Sequence, residues 1–362
     1  MNKKVLRKIY IKLLRMKRTI NDKIGGFLLA NVFIDDYKKY SIKECWNAHK
    51  LGYSVEDYRF LNITKENKDK YLSTVDYYFM HPFNGIYSSW IDDKLTYKYL
   101  CSGTVLDRYM PRYYFQINEK GELLYLPDFS GEKCLWNSVV NLLKEKNEFA
   151  VKLLSGSTGE GFYKAEYKND RFYLNGIEFN DTEFIIELKK LRNYIITEYL
   201  HPHESFNKYC SKNVNAVRYM CGKLDGEYIF LKSTIKIGTK SSGYVDNYGA
   251  GGVMCYIDED GNIGNGYILK DGKNILITAH PDTGEKFSGK IPMWSEIKQA
   301  VKEFCDFFPQ LSYLGFDFAV TSDNRVIIME INSLSSLAPI QYDMPLFETK
   351  GGRFYKERLN KK

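Results

Sequence analysis

The chain has 362 residues, of which 44% are hydrophobic, 15% aromatic and 27% charged. This length predicts roughly two or three compact units, and a composition so rich in aromatic side chains, with only 9 Pro and 27 Gly, excludes a fibrous or disordered protein. The formal net charge is +7, but residues 1–23 carry nine Lys and Arg against Asp22 alone. The remainder is therefore close to neutral, which argues against a nucleic-acid-binding protein, whose basic residues would be spread over a folded face.

The sequence lacks the features of membrane-spanning, exported or disulfide-stabilised proteins. No segment approaches the ~20 consecutive apolar residues that a spanning helix needs. The basic N-terminus is not followed by the apolar core and small-residue cleavage site of a secretory signal. The seven cysteines are scattered singly, without a C-x-x-C pair, which is typical of reduced thiols. We therefore expect a cytoplasmic protein.

The N-terminal segment has a helical apolar pattern. Apolar residues recur at spacings of three and four from Leu6 to Ile20, with Lys and Arg between them, which predicts a basic amphipathic helix over residues 4–22. Such a helix could make peripheral contact with the anionic inner face of a membrane. It could equally dock on its own protein with its charged face in water. Residues 41–80 are predicted to be helical and carry no recognisable motif.

From residue 90 onward, helical segments alternate with strands, which predicts the α+β fold class. In chain order the pattern predicts a helix over residues 90–100, a strand at 112–117, a helix at 134–147, a buried strand at 148–154, antiparallel strands over 162–187, an apolar strand at 193–200, strands near 213–221, 227–236 and 253–257, a helix at 294–307 and a hairpin over 314–331.

A glycine-rich loop directly follows the buried strand at 148–154. Its backbone N–H groups are little obstructed by side chains, as a phosphate-binding loop requires. The spacing of Gly156 and Gly161 fits a Walker loop, but Phe162 and Tyr163 stand where Lys and Ser/Thr should follow. A glycine-rich turn of purely structural meaning is the alternative. The candidate phosphate-binding residues of the loop are Gly156, Ser157, Thr158, Gly159 and Gly161.

Two carboxylates and an amide are predicted to converge near the C-terminal end. The hairpin over 314–331 places Asp317 roughly opposite Glu330, and the alternation of a strand puts Glu330 and Asn332 on one face. Their neighbours are apolar, so unpaired carboxylates would be costly there and a cation should be present. Oxygen ligands without His or Cys suit Mg²⁺. A structural salt bridge to Arg325 or Lys232 is the alternative.

Three basic residues lie at positions where an anion could be bound. Lys94 opens a predicted helix, Lys152 lies in the buried strand before the glycine-rich loop, and Arg218 lies in a predicted strand. Most single Lys and Arg residues on strands are ordinary surface charges. Lys152 differs because its neighbours are apolar, so a buried ammonium there would need an anion.

Together these features resemble the ATP-grasp superfamily. Its members combine one lysine early in the nucleotide domain with a second just before a glycine-rich loop, and end in an Asp…Glu-x-Asn magnesium site. The resemblance is to the sugar-transfer-associated branch, which is linked to bacterial surface polysaccharides such as capsules, and it covers roughly residues 75–348. The stretches that carry it are 92–98, 215–218, 245–252, 280–284 and 291–294.

The resemblance implies an ATP-grasp fold in which the nucleotide is held between two α+β subdomains. It implies a helical region over residues 1–89, a first subdomain over 90–197 that holds the glycine-rich loop, and a second over 198–362 that holds the magnesium site. Leu153 stands where many members have proline, but that proline shapes the strand and does no chemistry.

The resemblance also implies roles for individual residues. Lys94 and Lys152 would contact the phosphates of ATP, and Arg218 would face the phosphoryl acceptor. The backbone of Glu198, Tyr199 and Leu200 would read the adenine edge, with Glu204 as partner of the ribose hydroxyls. The Mg²⁺ ligands would be Asp317, Glu330 and Asn332.

The expected activity is that of an ATP-dependent carboxylate–amine ligase, which uses ATP and Mg²⁺ to join an amine to a carboxylated sugar. His280 is a candidate catalytic or substrate contact, although turn chemistry explains the Pro-Asp-Thr-Gly that follows it equally well. Two alternatives remain open. One is a small-molecule phosphotransferase with the same ATP site, and the other is a non-catalytic nucleotide-binding component of a polysaccharide assembly.

Overall fold

The computed structural model describes residues 23–155, 161–243, 245–270 and 273–360. The helix predicted over residues 4–22 and the loop residues Gly156, Ser157, Thr158 and Gly159 lie outside these ranges. None of the described helices is long and apolar enough to cross a membrane. The α-helices, in chain order, are α1 (Lys23–Lys39), α2 (Ile42–His49), α3 (Val55–Phe60), α4 (Thr74–Met80), α5 (Ser89–Asp92), α6 (Lys94–Cys101), α7 (Trp136–Lys146), α8 (Asp181–Lys190), α9 (Trp294–Phe307) and α10 (Gly352–Asn360).

The strands form two antiparallel sheets of seven strands each. The first has the order β2-β1-β7-β3-β4-β5-β6 and the second the order β12-β11-β10-β9-β8-β13-β14. The strands are β1 (Tyr113–Ile117), β2 (Leu123–Tyr125), β3 (Glu148–Leu153), β4 (Tyr163–Lys168), β5 (Arg171–Leu174), β6 (Ile177–Phe179), β7 (Tyr194–Glu198), β8 (Val217–Leu224), β9 (Glu227–Ile237), β10 (Val253–Ile257), β11 (Ile263–Lys270), β12 (Lys273–Ile277), β13 (Tyr313–Val320) and β14 (Val326–Asn332).

Helices α7 and α8 cover one face of the first sheet. Leu143 and Phe184, one from each helix, are fully buried against Phe149 of β3 and Phe172 of β5. The predicted α+β class is confirmed. The antiparallel pattern expected over residues 162–187 holds only as far as Phe179, because a capping box of Asn180 and Glu183 starts α8 there.

The second sheet is covered on both faces. Alternate residues of β8 such as Val217 and Cys221 face α9, whose Ile297 and Phe304 are fully buried in the same core. Met220 lies on the opposite face of β8 and packs against α4 and α10. Arg218 shares the face of Met220, so the N-terminal helices cover the sheet face that carries this charged residue.

The N-terminal helices are short, and serine caps start three of them. Ser41, Ser54 and Ser73 each accept the backbone N–H of an acidic residue three positions later, at the starts of α2, α3 and α4. Each cap satisfies a donor that the first turn leaves open, which is worth about 1 kcal/mol. Helices of six to eight residues are too short to persist alone, so packing must hold them. Helix α4 packs on the second sheet, and Cys45 and Ala48 of α2 pack against Val55 of α3.

Two buried amides join this helical layer to the second half of the chain. Asn84 donates to the carbonyl of Tyr313 at 2.8 Å and accepts the N–H groups of Ser312 at 2.7 Å and Tyr313 at 2.9 Å. The side chain of Gln341 bonds both the N–H and the carbonyl of Leu72, at 2.9 and 3.0 Å. Each amide thereby satisfies backbone groups that regular secondary structure leaves unpaired.

We expect Asn84→Ala to lower the free energy of unfolding by at least about 2 kcal/mol, because each buried backbone group left without a partner costs about 1–3 kcal/mol. Urea unfolding followed by circular dichroism measures the change. Asn31→Ala, at an exposed position of α1, is the matched control and should stay within about 0.5 kcal/mol of the unsubstituted protein. Equal stability of the two variants would contradict the docking role of Asn84.

Candidate active site

A cavity of about 420 Å³ lies between the two sheets. Strand β3 and the end of β7 supply its wall from the first sheet, and β8, β9, β13 and β14 supply the wall from the second. Most of the site residues predicted from the sequence line it together, namely Lys94, Lys152, Glu198, Tyr199, Leu200, Arg218, Asp317, Glu330 and Asn332.

Strand register sets three of the charged residues in a row. On β13, Asp317 pairs with Glu330 of β14 on one side and with Arg218 of β8 on the other. The expectation that the hairpin brings Asp317 opposite Glu330 is confirmed. A register irregularity follows Asp317 in the β13–β14 ladder, between Asp317 and Phe318.

Arg218 and Asp317 form a two-pronged ion pair. The Arg218 Nε and Nη2 groups donate to the two carboxylate oxygens of Asp317 at 2.6 and 2.8 Å, and Lys236 Nζ reaches one of these oxygens at 3.4 Å. Burial by itself would raise the pKa of Asp317, but the charges of Arg218 and Lys236 hold it well below its usual range. Burial likewise disfavours the charged form of Arg218, yet the charge of Asp317 raises the pKa of the guanidinium above its ordinary value.

The alternative partners expected from the sequence are wrong. Arg325 bonds Glu198 and Asp323, and Lys232 bonds Asp343, so neither pairs with the carboxylates of the predicted metal site.

The two predicted phosphate-binding lysines have different surroundings. Lys94 is buried, with its ammonium 3.2 Å from Glu330 and 3.4 Å from the carbonyl of Leu154. Lys152 has no carboxylate within ion-pair distance among the described residues, and the ring of Tyr113 lies 5.9 Å from its ammonium. Burial lowers the pKa of Lys152 to about 8, and the positive charge of Lys94 adds to the shift. An anion placed here would relieve both effects.

The oxygens of Asp317, Glu330 and Asn332 suit a hard divalent cation such as Mg²⁺. In the described part of the chain, no group of three or more His, Cys, Asp and Glu residues could hold a metal. The protein thus offers two carboxylates and one amide here. A cation bound to them would complete its coordination with phosphate oxygens and water, which is how Mg²⁺ commonly binds beside nucleotides.

The segment that links the sheets at the cavity is held by Glu198. Its carboxylate accepts two hydrogen bonds from Arg325, at 3.0 and 3.2 Å, and one from the N–H of Arg112 at 2.9 Å. Because this side chain is engaged, a base bound against the segment would meet its backbone. The roles expected for Glu198, Tyr199 and Leu200 at an adenine edge stay predictions.

Three of the described site residues predicted from the sequence, His280, Glu204 and Gly161, do not line the cavity. His280 is buried elsewhere, with Nε2 2.9 Å from the carbonyl of Gly238 and Nδ1 accepting the N–H of Asp282 at 3.4 Å. Its ring nitrogens thus bond the backbone just after β9 and the backbone of the turn that follows His280, so a structural role fits better than a catalytic one. Glu204 is exposed on a 3₁₀ turn over residues 204–206 and does not line the cavity. The described end of the glycine-rich loop, Gly161, has φ +69° and packs beside Leu153.

Sequence reasoning missed Lys236 and Ser335. Lys236 adds a second positive charge beside Asp317, and Ser335 accepts from Arg218 Nη1 at 3.3 Å. The alternation along β9 puts Lys236 on one face with Thr234 and Lys232, which was visible in the sequence. Its approach to Asp317 was not, because it depends on how β8, β9 and β13 pair.

Comparison with known proteins gives one family and several distant structures. Residues 77–349 match the family described as sugar-transfer associated ATP-grasp. No curated protein sequence matches the chain.

The structural similarities are weak. D-alanyl-alanine synthetase A from Vibrio cholerae O1 biovar eltor str. N16961 has a TM-score of 0.44 and 13% identity, over 75% of this chain and 64% of its own. VanG D-Ala:D-Ser ligase from Enterococcus faecalis has a TM-score of 0.40 and 12% identity, over 74% and 61%. L-amino acid ligase from Bacillus licheniformis has a TM-score of 0.38 and 9% identity, over 75% and 47%. The chain thus spans less than two thirds of the length of each.

If Lys152 binds phosphate, nucleotide affinity should depend on pH. The free protein loses the Lys152 charge as the pH rises through about 8, so above that value binding must take up a proton and the Kd should rise about tenfold per pH unit. Titration of a fluorescent ATP analogue between about pH 7 and 9.5 measures this. Lys152→Arg keeps its charge throughout and should show a flat profile. A flat profile in the unsubstituted protein would contradict the assignment.

Proposed function

The chain belongs to the sugar-transfer associated ATP-grasp family, and from that premise we propose that it is an ATP-dependent carboxylate–amine ligase acting through an acylphosphate. The observation that carries the proposal is the cavity between the sheets. It gathers two cationic side chains suited to phosphates, Lys94 and Lys152, and two carboxylates suited to a divalent cation, Asp317 and Glu330. Arg218 adds a guanidinium that can face an acid.

The chemistry must overcome the unreactivity of a carboxylate toward an amine, because oxide is a poor leaving group. In the proposed reaction a carboxylate oxygen bonds to the γ-phosphorus of ATP while the bond from that phosphorus to ADP breaks. The amine nitrogen of the second substrate then bonds to the acyl carbon, and phosphate leaves with the electrons of the carbon–oxygen bond. The nitrogen gives up its proton to phosphate or to water.

The residues of this chain contribute position and charge. Lys94 and Lys152 would hold the phosphates, and Arg218 would hold the acid in line with the γ-phosphorus. Mg²⁺ on Asp317, Glu330 and Asn332 would neutralise phosphate charge during the transfer. These preorganised charges act in a partly dry cavity, where they are stronger than in water. No side-chain nucleophile is needed.

We further propose a carboxylated sugar as the acid and an amino acid or amino sugar as the amine, in the synthesis of a bacterial surface polysaccharide. The description of the family as sugar-transfer associated supports a sugar substrate. The basic segment over residues 1–23 would then keep the enzyme at the inner face of the membrane, close to lipid-linked intermediates.

The proposed ligase should release ADP from ATP only when an acid and an amine are both present. A screen of paired acid and amine pools, with ADP measured by a coupled assay and products by mass, tests this. Release with an alcohol alone would instead identify a phosphotransferase. Tight ATP binding with no release for any pair would identify a nucleotide-binding component without catalysis.

Glu330→Ala should reduce magnesium-dependent ADP release by at least about a thousandfold, because it removes a metal ligand and the partner of Lys94. Glu119→Ala is the matched control, since Glu119 is an exposed glutamate that does not line the cavity, and it should keep nearly full activity. Circular dichroism should show both variants folded. Full activity of a folded Glu330→Ala protein would remove the metal assignment.

A further inference from the structure

A second cavity, of about 690 Å³, adjoins the first. The two share wall residues, among them Arg218, Lys236 and Asn247. The floor of the second cavity is the face of the second sheet that carries Arg218 and Met220. Its roof is formed by α3 and α4, so Asp57 and Thr74 of the roof precede the segment that matches the family, residues 77–349. We call this second cavity the acceptor chamber.

Two cationic side chains, Arg218 and Lys236, line the floor of the acceptor chamber beside the first cavity. Arg218 and Lys236 both face the single carboxylate of Asp317. Lys232 also lines the chamber but is neutralised by Asp343, at 2.6 Å. Asp246 is a second carboxylate near Lys236, but neither Asp317 nor Asp246 lines the chamber, so this wall presents the two cationic side chains without their carboxylate partners. That wall lies where the acid must meet ATP.

The roof of the chamber carries a carboxylate without a cation. Among the described residues, no Lys, Arg or His lies within ion-pair distance of Asp57. Its Oδ2 accepts the hydroxyl of Thr74 at 2.5 Å, and its N–H donates to Ser54 Oγ at 3.1 Å. Ser54 in turn donates its N–H to Thr74 Oγ1 at 3.0 Å. This network fixes the Asp57 carboxylate at the wall of the chamber.

The surroundings of Asp57 make its charge costly. Burial raises the pKa of the Asp57 carboxyl to about 6, despite the hydrogen bonds from Thr74 and Ser54. Burial, together with the nearby charge of Asp57, raises the pKa of the Tyr78 hydroxyl to about 12. A ligand that donates a further hydrogen bond to the Asp57 carboxylate would lower the free-energy cost of its buried charge.

Aromatic side chains complete the walls. Tyr40, Phe60, Tyr77, Tyr78 and Tyr248 all line the chamber. Rings of this kind pack against the apolar faces of a cyclic ligand while their hydroxyls bond to its rim. The volume is within the range of about 300–1,000 Å³ usual for small-molecule pockets, so the chamber can hold a ligand of the size of a monosaccharide.

We propose that the acceptor chamber binds the acid substrate as a polyhydroxylated ring carboxylate, with its carboxylate at Arg218 and Lys236 and a hydroxyl donating to Asp57. The proposal rests on the proposed ligase function, because it places the reacting carboxylate beside the phosphate-binding cavity. Asp57 then determines specificity: it selects acids that carry a hydrogen-bond donor remote from the carboxylate.

The test compares four probes in the presence of Mg²⁺ and a non-hydrolysable ATP analogue. D-Glucuronate and D-galacturonate carry both recognition features, D-glucose lacks the carboxylate, and cyclohexanecarboxylate lacks the hydroxyls. Isothermal titration calorimetry on the full chain should give the tightest binding for at least one of the two uronates. Failure of both to bind more tightly than D-glucose and cyclohexanecarboxylate would overturn the proposal.

Asp57→Asn should weaken binding of the uronate at least tenfold, because a hydrogen bond to a charged group is lost, and should leave cyclohexanecarboxylate unaffected. Asp69→Asn, an exposed carboxylate of the same helical region, is the matched control and should change neither. If Asp57→Asn does not fold, Thr74→Val tests the same network by removing the hydroxyl that orients Asp57. Unchanged uronate affinity in a folded variant would overturn the proposal.

The two proposals fail in different ways. If uronate binding depends on Asp57 but no amine gives ADP release, the ligase proposal is wrong and the acceptor-chamber proposal holds. If ADP release needs both an acid and an amine but is unchanged by Asp57→Asn, the acceptor-chamber proposal is wrong and the ligase proposal holds.

Discussion

The arrangement of the site depends on the ion pair between Arg218 and Asp317. Neither charge would be tolerated at this depth alone, because losing one partner of a buried pair leaves the other uncompensated. The pair forms only if β8, β13 and β14 keep their register, since a slip of one residue would turn these side chains to the apolar face that packs on α9. Pairing of these strands therefore places the charged row that the second sheet contributes to the site.

The same ion pair lies between the proposed metal site and the proposed binding site of the acid. Both oxygens of Asp317 are engaged by Arg218, and Lys236 lies 3.4 Å from one of them. A divalent cation at Asp317 would compete for these oxygens and leave more of the charge of Arg218 and Lys236 to an acid in the acceptor chamber. Binding of a divalent cation in the first cavity would in this way strengthen binding of the acid in the acceptor chamber.

Local sequence pattern was informative where the site is built from local structure. The hairpin of β13 and β14 has a short turn and apolar strands, so alternation alone placed Asp317 opposite Glu330. Lys236 could not be placed in this way, because its neighbour depends on strands far apart in the chain. His280 shows the opposite failure: a motif suggested chemistry, yet its nitrogens bond the carbonyl of Gly238, 42 residues away, and the N–H of Asp282 in the following turn. Composition and spacing cannot tell a hydrogen-bonded turn histidine from a reactive one.

The N-terminal helices were the least informative part of the sequence, and their role explains why. They carry no motif of their own, and Asn84 and Gln341 join this part of the chain to segments more than two hundred residues away. Their function is visible only once they cover the second sheet, where Asp57 and the tyrosines close a chamber over Arg218. Residues 77–349, which match the family, contain Arg218, Lys236 and Asp317, whereas Asp57 and Thr74 in the roof of the chamber lie before them. The row of charges and the roof that covers it therefore come from different parts of the chain.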